Sequence, residues 1–151
     1  MKKLLAATLF ALLLPTLIFA QPLSVEDTQM ENRIDIEVNG QLRTAVLSQN
    51  DSARAFRELL AQGPVTVDMH DYGNFEKVGD LGTSLPCSDT QITTTPGDII
   101  LYLGNQVTIY YDVNSWSFTL LGHIEDATGD NMREFLGNGN PTVTFSLHSE
   151  Q

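Results

Sequence analysis

The first regular stretch of the chain alternates apolar and polar residues. Residues 34–38 read Ile-Asp-Ile-Glu-Val, and this period of two is typical of a half-buried β-strand. Asn39-Gly40 follows and favours the positive φ angles of a two-residue hairpin turn. The pattern therefore predicts a strand from Arg33, a tight turn and a returning strand over 42–47.

The next segment changes to helical periodicity. Its apolar residues recur every three to four positions and form one stripe, namely Ala55, Phe56, Leu59 and Leu60. Asp51 or Ser52 can cap the start of this helix, and Gly63-Pro64 ends it. We expect the stripe to pack onto the sheet. Farther along the chain, Asp130 can cap a second short helix over 132–136, which Gly137 ends.

Alternation returns at 65–69, which predicts a third strand. The following fifteen or so residues are rich in Gly, Asp and Ser, so they are predicted to form a loop that contains a short strand around 75–78. Later segments at 116–124 and 142–148 are predicted to add two more strands.

The strongest predicted strand pair is 98–103 with 106–112. Both segments are rich in β-branched and aromatic residues, and Gly104-Asn105 joins them, which favours a two-residue turn. With that turn, Tyr110 shares a face with Thr108, Ile99 and Leu101, whereas Tyr102 lies on the opposite face. Both faces are largely apolar, so one is predicted to line the interior and the other to be open or covered.

These elements predict a mainly β fold in one domain over 33–148. Several short strands, two short helices and frequent turn signals are typical of a closed antiparallel β-barrel with helices at its openings, or of a β-sandwich. A chain of 151 residues is long enough for one such core and too short for two ordinary domains.

The N-terminus carries a candidate export signal. Met1-Lys2-Lys3 precedes an apolar run over 4–14, which has the proportions of a secretory signal peptide. Cleavage after Ala20 leaves a polar, flexible leader over 21–32. The protein is therefore expected to be exported, to the periplasm or the medium. The alternative is an uncleaved segment that anchors the protein in a membrane.

Charge and cysteine content disfavour some classes of partner and of chemistry. The formal net charge is −11, which disfavours nucleic acid as a partner. Cys87 is the only cysteine, so no intramolecular disulfide can form. It lies in a predicted loop without a neighbouring histidine that could activate its thiol, and we interpret it as an inert loop thiol rather than a catalytic one.

The usual motifs of catalysis and cofactor binding are missing. The sequence has no Gly-x-Ser-x-Gly, no glycine-rich phosphate loop and no dinucleotide fingerprint, so no cofactor is expected. His70 with Asp68 and His123 with Glu125 could each offer two metal ligands. No two histidines have the spacing that would bring them together, and no metal is expected. The acidic segment 125–131 lacks the ligand spacing of a calcium loop.

Several motifs together resemble the bacterial cyclophilin-like fold proteins of unknown function. They occur in matching order from about Arg33 to Leu147: Ile34-x-Ile36-x-Val38-Asn39-Gly40, the helical segment 52–56, Tyr72 with Glu76-Lys77-Val78-Gly79 before Leu81, Pro96-Gly97-Asp98-Ile99-Ile100-Leu101-Tyr102, 107–111, and Asn114-Ser115-Trp116 continuing to Gly122. The resemblance implies a cyclophilin-type antiparallel barrel. It brings no established activity, because fold alone does not define function.

Proline isomerisation is the enzymatic alternative that the resemblance raises. Cyclophilins carry a Phe-His-Arg segment and a Gln-Gly-Gly-Asp segment, and neither string occurs here. The five arginines after the signal segment have other neighbours: Arg33, Arg43, Arg54, Arg57 and Arg133. The protein is therefore more simply interpreted as a binding module than as an enzyme.

The candidate ligand site is an open groove on the outer face of the barrel. Its predicted ligand-binding residues are Tyr72, Glu76, Tyr110, Ser115 and Trp116. Aromatic walls with a rim of hydroxyls and one carboxylate are typical of a site for a small molecule or a peptide. Two alternatives remain: a helix or the leader covers this face, or Trp116 belongs to the core.

Overall fold

The computed structural model describes residues 32–149. Within this range the chain is mainly β, with antiparallel strand pairing throughout and two helices, as predicted. The predicted signal peptide over 1–20 and all but the last residue of the predicted leader lie outside the described residues.

The strands are β1 Arg33–Val38, β2 Gln41–Leu47, β3 Val65–Asp68, β4 His70–Tyr72, β5 Glu76–Asp80, β6 Thr90–Thr93, β7 Asp98–Tyr102, β8 Gln106–Tyr110, β9 Ser115–Ile124 and β10 Thr142–Leu147. The helices are α1 Asp51–Leu60 and α2 Gly129–Leu136.

Hydrogen-bonded neighbours follow the order β3-β10-β1-β2-β9-β7-β8-β5-β4, and β6 pairs separately with β9. No strand ladder joins the two ends of this path, so the closed barrel predicted from the sequence is not confirmed. The two ends, β3 and β4, belong to one chain segment and are separated by Met69 alone.

The larger of two apolar clusters forms the main core of the fold. It lies between the inner face of the sheet and the helices, and alternate residues of the strands point into it, as Ile34, Ile36 and Val38 do from β1. Phe56 of α1 packs edge-to-face on Phe145 of β10, with ring centroids 5.6 Å apart. Removal of these side chains from water supplies the main stabilising free energy, roughly 1.5–3 kcal/mol for each large side chain.

The predicted helices form, although their caps differ from the prediction. Asn50 caps α1, because its side chain accepts a hydrogen bond from the Ala53 N–H at 2.8 Å. In α2, Thr128 and Asn131 form a reciprocal capping box. Each cap lies one or two residues before the predicted Asp51 or Ser52 and Asp130, and more than one residue near each start had a suitable side chain. Gly137 ends α2 as predicted.

The turn between β7 and β8 differs from the prediction by one residue. It comprises Leu103, Gly104 and Asn105, with positive φ at Leu103 (53°) and Gly104 (79°). Tyr102 therefore pairs with Gln106. Since a register shift of one residue exchanges the faces of a strand, Tyr102 shares the outer face with Tyr110, contrary to the prediction.

Two further strands were not resolved by the sequence patterns. The predicted third strand is interrupted at Met69, whose N–H donates to the Pro141 carbonyl at 2.9 Å; beyond this point the chain leaves β10 and pairs with β5 as β4. β6 was not predicted: it lies beyond the predicted loop, and its sequence Thr-Gln-Ile-Thr has only one apolar residue, so it shows no alternation. The short strand predicted around 75–78 forms as β5, shifted to 76–80.

Candidate functional site

A second, smaller apolar cluster lies on the outer face of the sheet. Its buried members are Ile100 of β7, Tyr110 of β8 and Phe118 of β9. Phe75, Ile92 of β6 and Leu120 of β9 are partly buried and pack against them. The outer face of the hairpin is therefore covered in part by the turn before β5 and by β6. No residue of α1 or α2 belongs to this cluster, and residues 21–31 of the predicted leader lie outside the described residues.

The uncovered part of this face forms a groove with a volume of about 430 Å³. Aromatic rings follow one another along it. In order along the groove, the contacting rings and their centroid separations are Tyr72–Phe75 (6.1 Å), Phe75–Tyr110 (5.9 Å), Tyr110–Phe118 (5.8 Å) and Phe118–Tyr102 (6.3 Å). Neighbouring rings at these separations stabilise one another and form a largely apolar wall.

The hairpin between β4 and β5 places Phe75 over the groove. Gly73 and Asn74 both have positive φ angles, 58° and 59°, as in the tight turns that connect antiparallel strands. A Cβ atom on Gly73 would lie 2.2 Å from the Phe75 ring. The absence of a side chain at Gly73 thus leaves room for Phe75, which stacks on Tyr110 with only 7° between the ring planes.

Within residues 32–149, Glu76 is the one acidic residue among the side chains that line the groove. It opposes Tyr72 on β4 and Tyr110 on β8, and only 7% of its surface is exposed. Its Oε2 atom is buried without a hydrogen-bond partner. A buried acceptor left in this condition costs about 1–3 kcal/mol.

The surroundings of Glu76 shift its protonation equilibrium. Burial disfavours the charged carboxylate and raises the pKa of Glu76, while hydrogen bonding with Tyr110 opposes this shift. Burial and the nearby Glu76 carboxyl also raise the pKa of the Tyr110 hydroxyl. The Asn114 side-chain amide donates to that hydroxyl at 3.5 Å. The groove therefore contains an acid whose neutral form is favoured more than in water.

The structure brings four of the five sequence-predicted residues together. Tyr72, Glu76, Tyr110 and Trp116 all line the groove. Trp116 is 61% exposed, so it does not belong to the core. Ser115 does not line the groove: its hydroxyl is 2.7 Å from that of Thr93, its pairing partner on β6, and adjacent residues of a strand point to opposite faces.

Three groove aromatics were missed in the sequence analysis: Phe75, Tyr102 and Phe118. Tyr102 was assigned to the other face because of the turn length. Phe118 lies two residues after Trp116 on β9 and shares its face, so alternation alone could have identified it. Phe75 occupies a turn, where periodicity gives no information about direction.

Lys77 lies beside Glu76 in sequence but on the opposite face of β5. Its side chain is 2% exposed; the ammonium donates to the Gly139 carbonyl at 2.8 Å and lies 3.4 Å from the Asp71 carboxylate. This cation is therefore engaged on the inner side of the sheet and is unavailable to the groove.

Of the other candidate residues, His70 lines the groove, whereas His123, His148 and Cys87 do not. His123 and His148 each contact one carboxylate, those of Asp98 and Asp35, at 2.8 Å. Within residues 32–149 no group of three or more His, Cys, Asp or Glu side chains could hold a metal ion. Cys87 is exposed. None of the helices described is long and apolar enough to cross a membrane.

Fold and groove together define the class of protein: a mainly antiparallel β domain with an aromatic groove, containing one buried carboxyl, on the outer face of its sheet. The chain belongs to the cyclophilin-like family, whose sequence model matches residues 36–146. A comparison with curated proteins gave no significant match.

Two solved structures share the fold. One is described as the structure of McbB in complex with tryptophan: TM-score 0.57, 16% identity, 78% of this chain and 45% of McbB covered. This chain thus spans less than half the length of McbB. The other is the solution structure of the hypothetical protein AF2241 from Archaeoglobus fulgidus: TM-score 0.56, 12% identity, 80% of this chain and 97% of that chain covered.

Proposed function

We propose that this protein is a binding module that holds a small organic ligand in the aromatic groove. The observation that carries the proposal is an open groove of about 430 Å³ whose lining is mainly aromatic and includes one buried carboxyl. Sites for small ligands have volumes of roughly 300–1,000 Å³, apolar walls and a few polar groups. Trp116 and Tyr72, each 61% exposed, offer surface that a ligand would cover.

The structure of McbB with tryptophan, which has a similar fold, supports the binding proposal at the level of the fold. A larger protein that contains a similar fold binds an aromatic amino acid, so this fold is compatible with ligands of that size. The low identity restricts the comparison to the fold, and the proposal for this chain depends on its own groove. A peptide occupant is a second outcome for the binding experiment to detect.

Catalysis receives less support than binding. In the part of the chain that the structure describes, the groove lining contains no arginine, the residue that cyclophilins place beside the substrate proline. We therefore expect no acceleration of prolyl isomerisation, whose uncatalysed time of roughly tens to hundreds of seconds makes weak catalysis easy to detect. Acceleration that survives repurification and is lost on changing one groove residue would contradict this expectation.

We also propose export to the periplasm or the medium, with cleavage near Ala20, on the basis of the charged and apolar segments at the N-terminus. Intact-mass analysis of the exported protein should give a chain that begins at or near Gln21. A full-length chain recovered from membranes would favour the anchor instead.

The binding proposal can be tested by titrating isotope-labelled protein with phenethyl alcohol, a neutral aromatic probe, and following backbone amide chemical shifts. We expect the largest shifts at the groove strands, and weaker binding for Tyr72→Ala. Leu42→Ala is the matched control, because Leu42 is 56% exposed and does not line the groove. Shifts outside the groove, or equal effects of the two variants, would reject the proposal; shifts only with proline-containing peptides would favour a peptide site.

A further inference from the structure

The residues that line the groove also indicate the charge of its ligand, an inference that rests on the proposed binding function. Glu76 lines the groove with a carboxyl that is almost fully buried, and its Oε2 atom has no hydrogen-bond partner. An acceptor oxygen in this state is stabilised by any donor that reaches it. A ligand that supplies a donor there gains more than one that supplies only apolar contact.

The charges around the groove disfavour an anionic ligand. Among residues 32–149, its lining contains no lysine or arginine, and His70 is its one basic side chain. Lys77, the nearest cation in sequence, is held on the opposite face of β5 by Asp71 and Gly139. A carboxylate or phosphate entering the groove would therefore meet Glu76 without a permanent countercharge. The net charge of −11 also attracts cations rather than anions toward the protein.

The aromatic walls of the groove also favour a cationic ligand. Cations are attracted to the faces of Trp, Tyr and Phe rings when they lie within about 6 Å of a ring centroid. Phe75 and Tyr110 adjoin Glu76 in the turn and on the neighbouring strand. A group that reaches the carboxyl therefore also lies close to aromatic rings.

We propose that Glu76 makes the groove selective for organic ammonium ligands, in which a protonated amine is attached to an aromatic or other apolar body. The amine contacts the Glu76 carboxyl, and the apolar body covers Trp116 and Tyr72. Burial raises the pKa of the Glu76 carboxyl in the free protein, and a bound ammonium would lower that pKa by favouring the carboxylate. No bond is made or broken.

Three probes of nearly equal size test the inference: phenethylamine, phenethyl alcohol and phenylacetate, which are cationic, neutral and anionic at neutral pH. Trp116 is the single tryptophan of the chain and lines the groove, so its fluorescence reports binding, and calorimetry gives an independent dissociation constant. We expect phenethylamine to bind about tenfold or more tightly than phenethyl alcohol, as is typical of a charge-assisted hydrogen bond, and phenylacetate to bind most weakly.

Glu76→Gln is the decisive variant. It keeps the size of the side chain and removes its charge, so we expect the preference for the amine over the alcohol to fall to about twofold or less. Glu134→Gln removes one negative charge from an exposed position on α2 and should leave the preference unchanged. If both variants reduce it equally, the effect is general electrostatics and the inference is wrong.

The outcomes separate the inference from the binding proposal. If the alcohol or phenylacetate binds wild-type protein at least as well as the amine, the ammonium assignment is overturned while the groove remains a ligand site. If none of the three probes binds, both fail. Should Glu76→Gln not fold, the order of the three probes on wild-type protein still decides.

Discussion

Glu76 lowers the stability of the fold but provides a carboxyl group that a ligand could contact. Its carboxyl lies on an apolar sheet face, between two tyrosines, with one oxygen unpartnered. The hydroxyl of Thr108, on the same face of β8 as Tyr110, is likewise buried without a partner. Polar groups in this condition lower stability, so a purely structural role does not account for the acid at this position.

The titration of Glu76 should be visible in the pH dependence of stability. Because its pKa is higher in the folded chain than in the unfolded chain, the unfolded chain binds fewer protons between the two values. The contribution of Glu76 to stability is then fully present below about pH 4.5, the ordinary glutamate pKa, and is lost as the pH rises through the folded value. Each pH unit between the folded and the unfolded pKa of Glu76 corresponds to about 1.4 kcal/mol in the free energy of unfolding.

Urea unfolding of wild type and Glu76→Gln, from pH values below 4.5 to values above the folded pKa of Glu76, measures how the free energy of unfolding depends on this titration. We expect the variant to gain stability relative to wild type as the pH rises, and the difference to become constant above the folded pKa of Glu76. Tyr110, whose pKa is raised, does not titrate in this window. A difference independent of pH, or one that changes in the opposite direction, would contradict the assignment.

Exposure of Trp116 predicts a small effect on stability. Trp116→Ala should change the free energy of unfolding by only about 0.5 kcal/mol, because surface substitutions rarely cost more. Phe145→Ala should cost about 3–5 kcal/mol, since Phe145 is fully buried and packs on Phe56. Urea unfolding followed by circular dichroism measures both. A loss of several kcal/mol for Trp116→Ala would place that ring in the core.

At the scale of elements, the turn of the β7–β8 hairpin decides which aromatics meet. A three-residue turn puts Tyr102 and Tyr110 on the same outer face, whereas a two-residue turn would place them on opposite faces. The extra residue, Leu103, adopts a φ of 53° and is 73% exposed. Its side chain therefore gains little from packing while its backbone is in a conformation that favours glycine.

Leu103→Gly should leave stability unchanged or raise it by up to about 1 kcal/mol. The left-handed conformation costs a non-glycine residue roughly 1–2 kcal/mol, and the greater freedom of glycine in the unfolded chain offsets part of the gain. Gly104→Ala provides the opposite control, because Gly104 has a φ of 79° and a new Cβ would lie 3.2 Å from the Leu85 carbonyl. Thermal unfolding should show a lower midpoint for Gly104→Ala and an unchanged or higher midpoint for Leu103→Gly; a clear loss for Leu103→Gly would refute the explanation.

At the scale of the whole molecule, the two ends of the hydrogen-bonded path approach each other. A Cβ on Gly79 of β5 would lie 2.6 Å from the Asp68 carbonyl and 2.5 Å from Val67 Cγ1, both on β3. The segment β3–β4 thus contacts both sides of the gap. This packing bridges the gap between the two ends of the path without a continuous ladder.

Gly79→Ala tests this packing. The added methyl group collides with β3, and we expect a loss of about 1–3 kcal/mol, as for other overpacked sites, together with faster amide exchange in β3. Gly139→Ala is the control, because a Cβ there meets nothing within 4 Å. Equal stability of the two variants would show that the β3–β5 contact contributes nothing to stability.

The sequence by itself determined the local elements. Alternation and turn dipeptides identified the β1–β2 hairpin, where Asn39 and Gly40 both have positive φ; helical spacing identified α1 and α2. These features depend on neighbours within a few residues, so short-range patterns contain the information. The motif order likewise indicated the family that the match over 36–146 establishes.

Only the tertiary structure decided how the elements meet. The turn length at Leu103 set the face of Tyr102, the hydrogen bond from Met69 to Pro141 divided one predicted strand into β3 and β4, and alternation turned Ser115 away from the groove. The burial of Glu76 likewise requires Phe75, Tyr110 and their strands in place. Such contacts join residues far apart in the chain, and their register is fixed by packing, which periodicity within one segment does not encode.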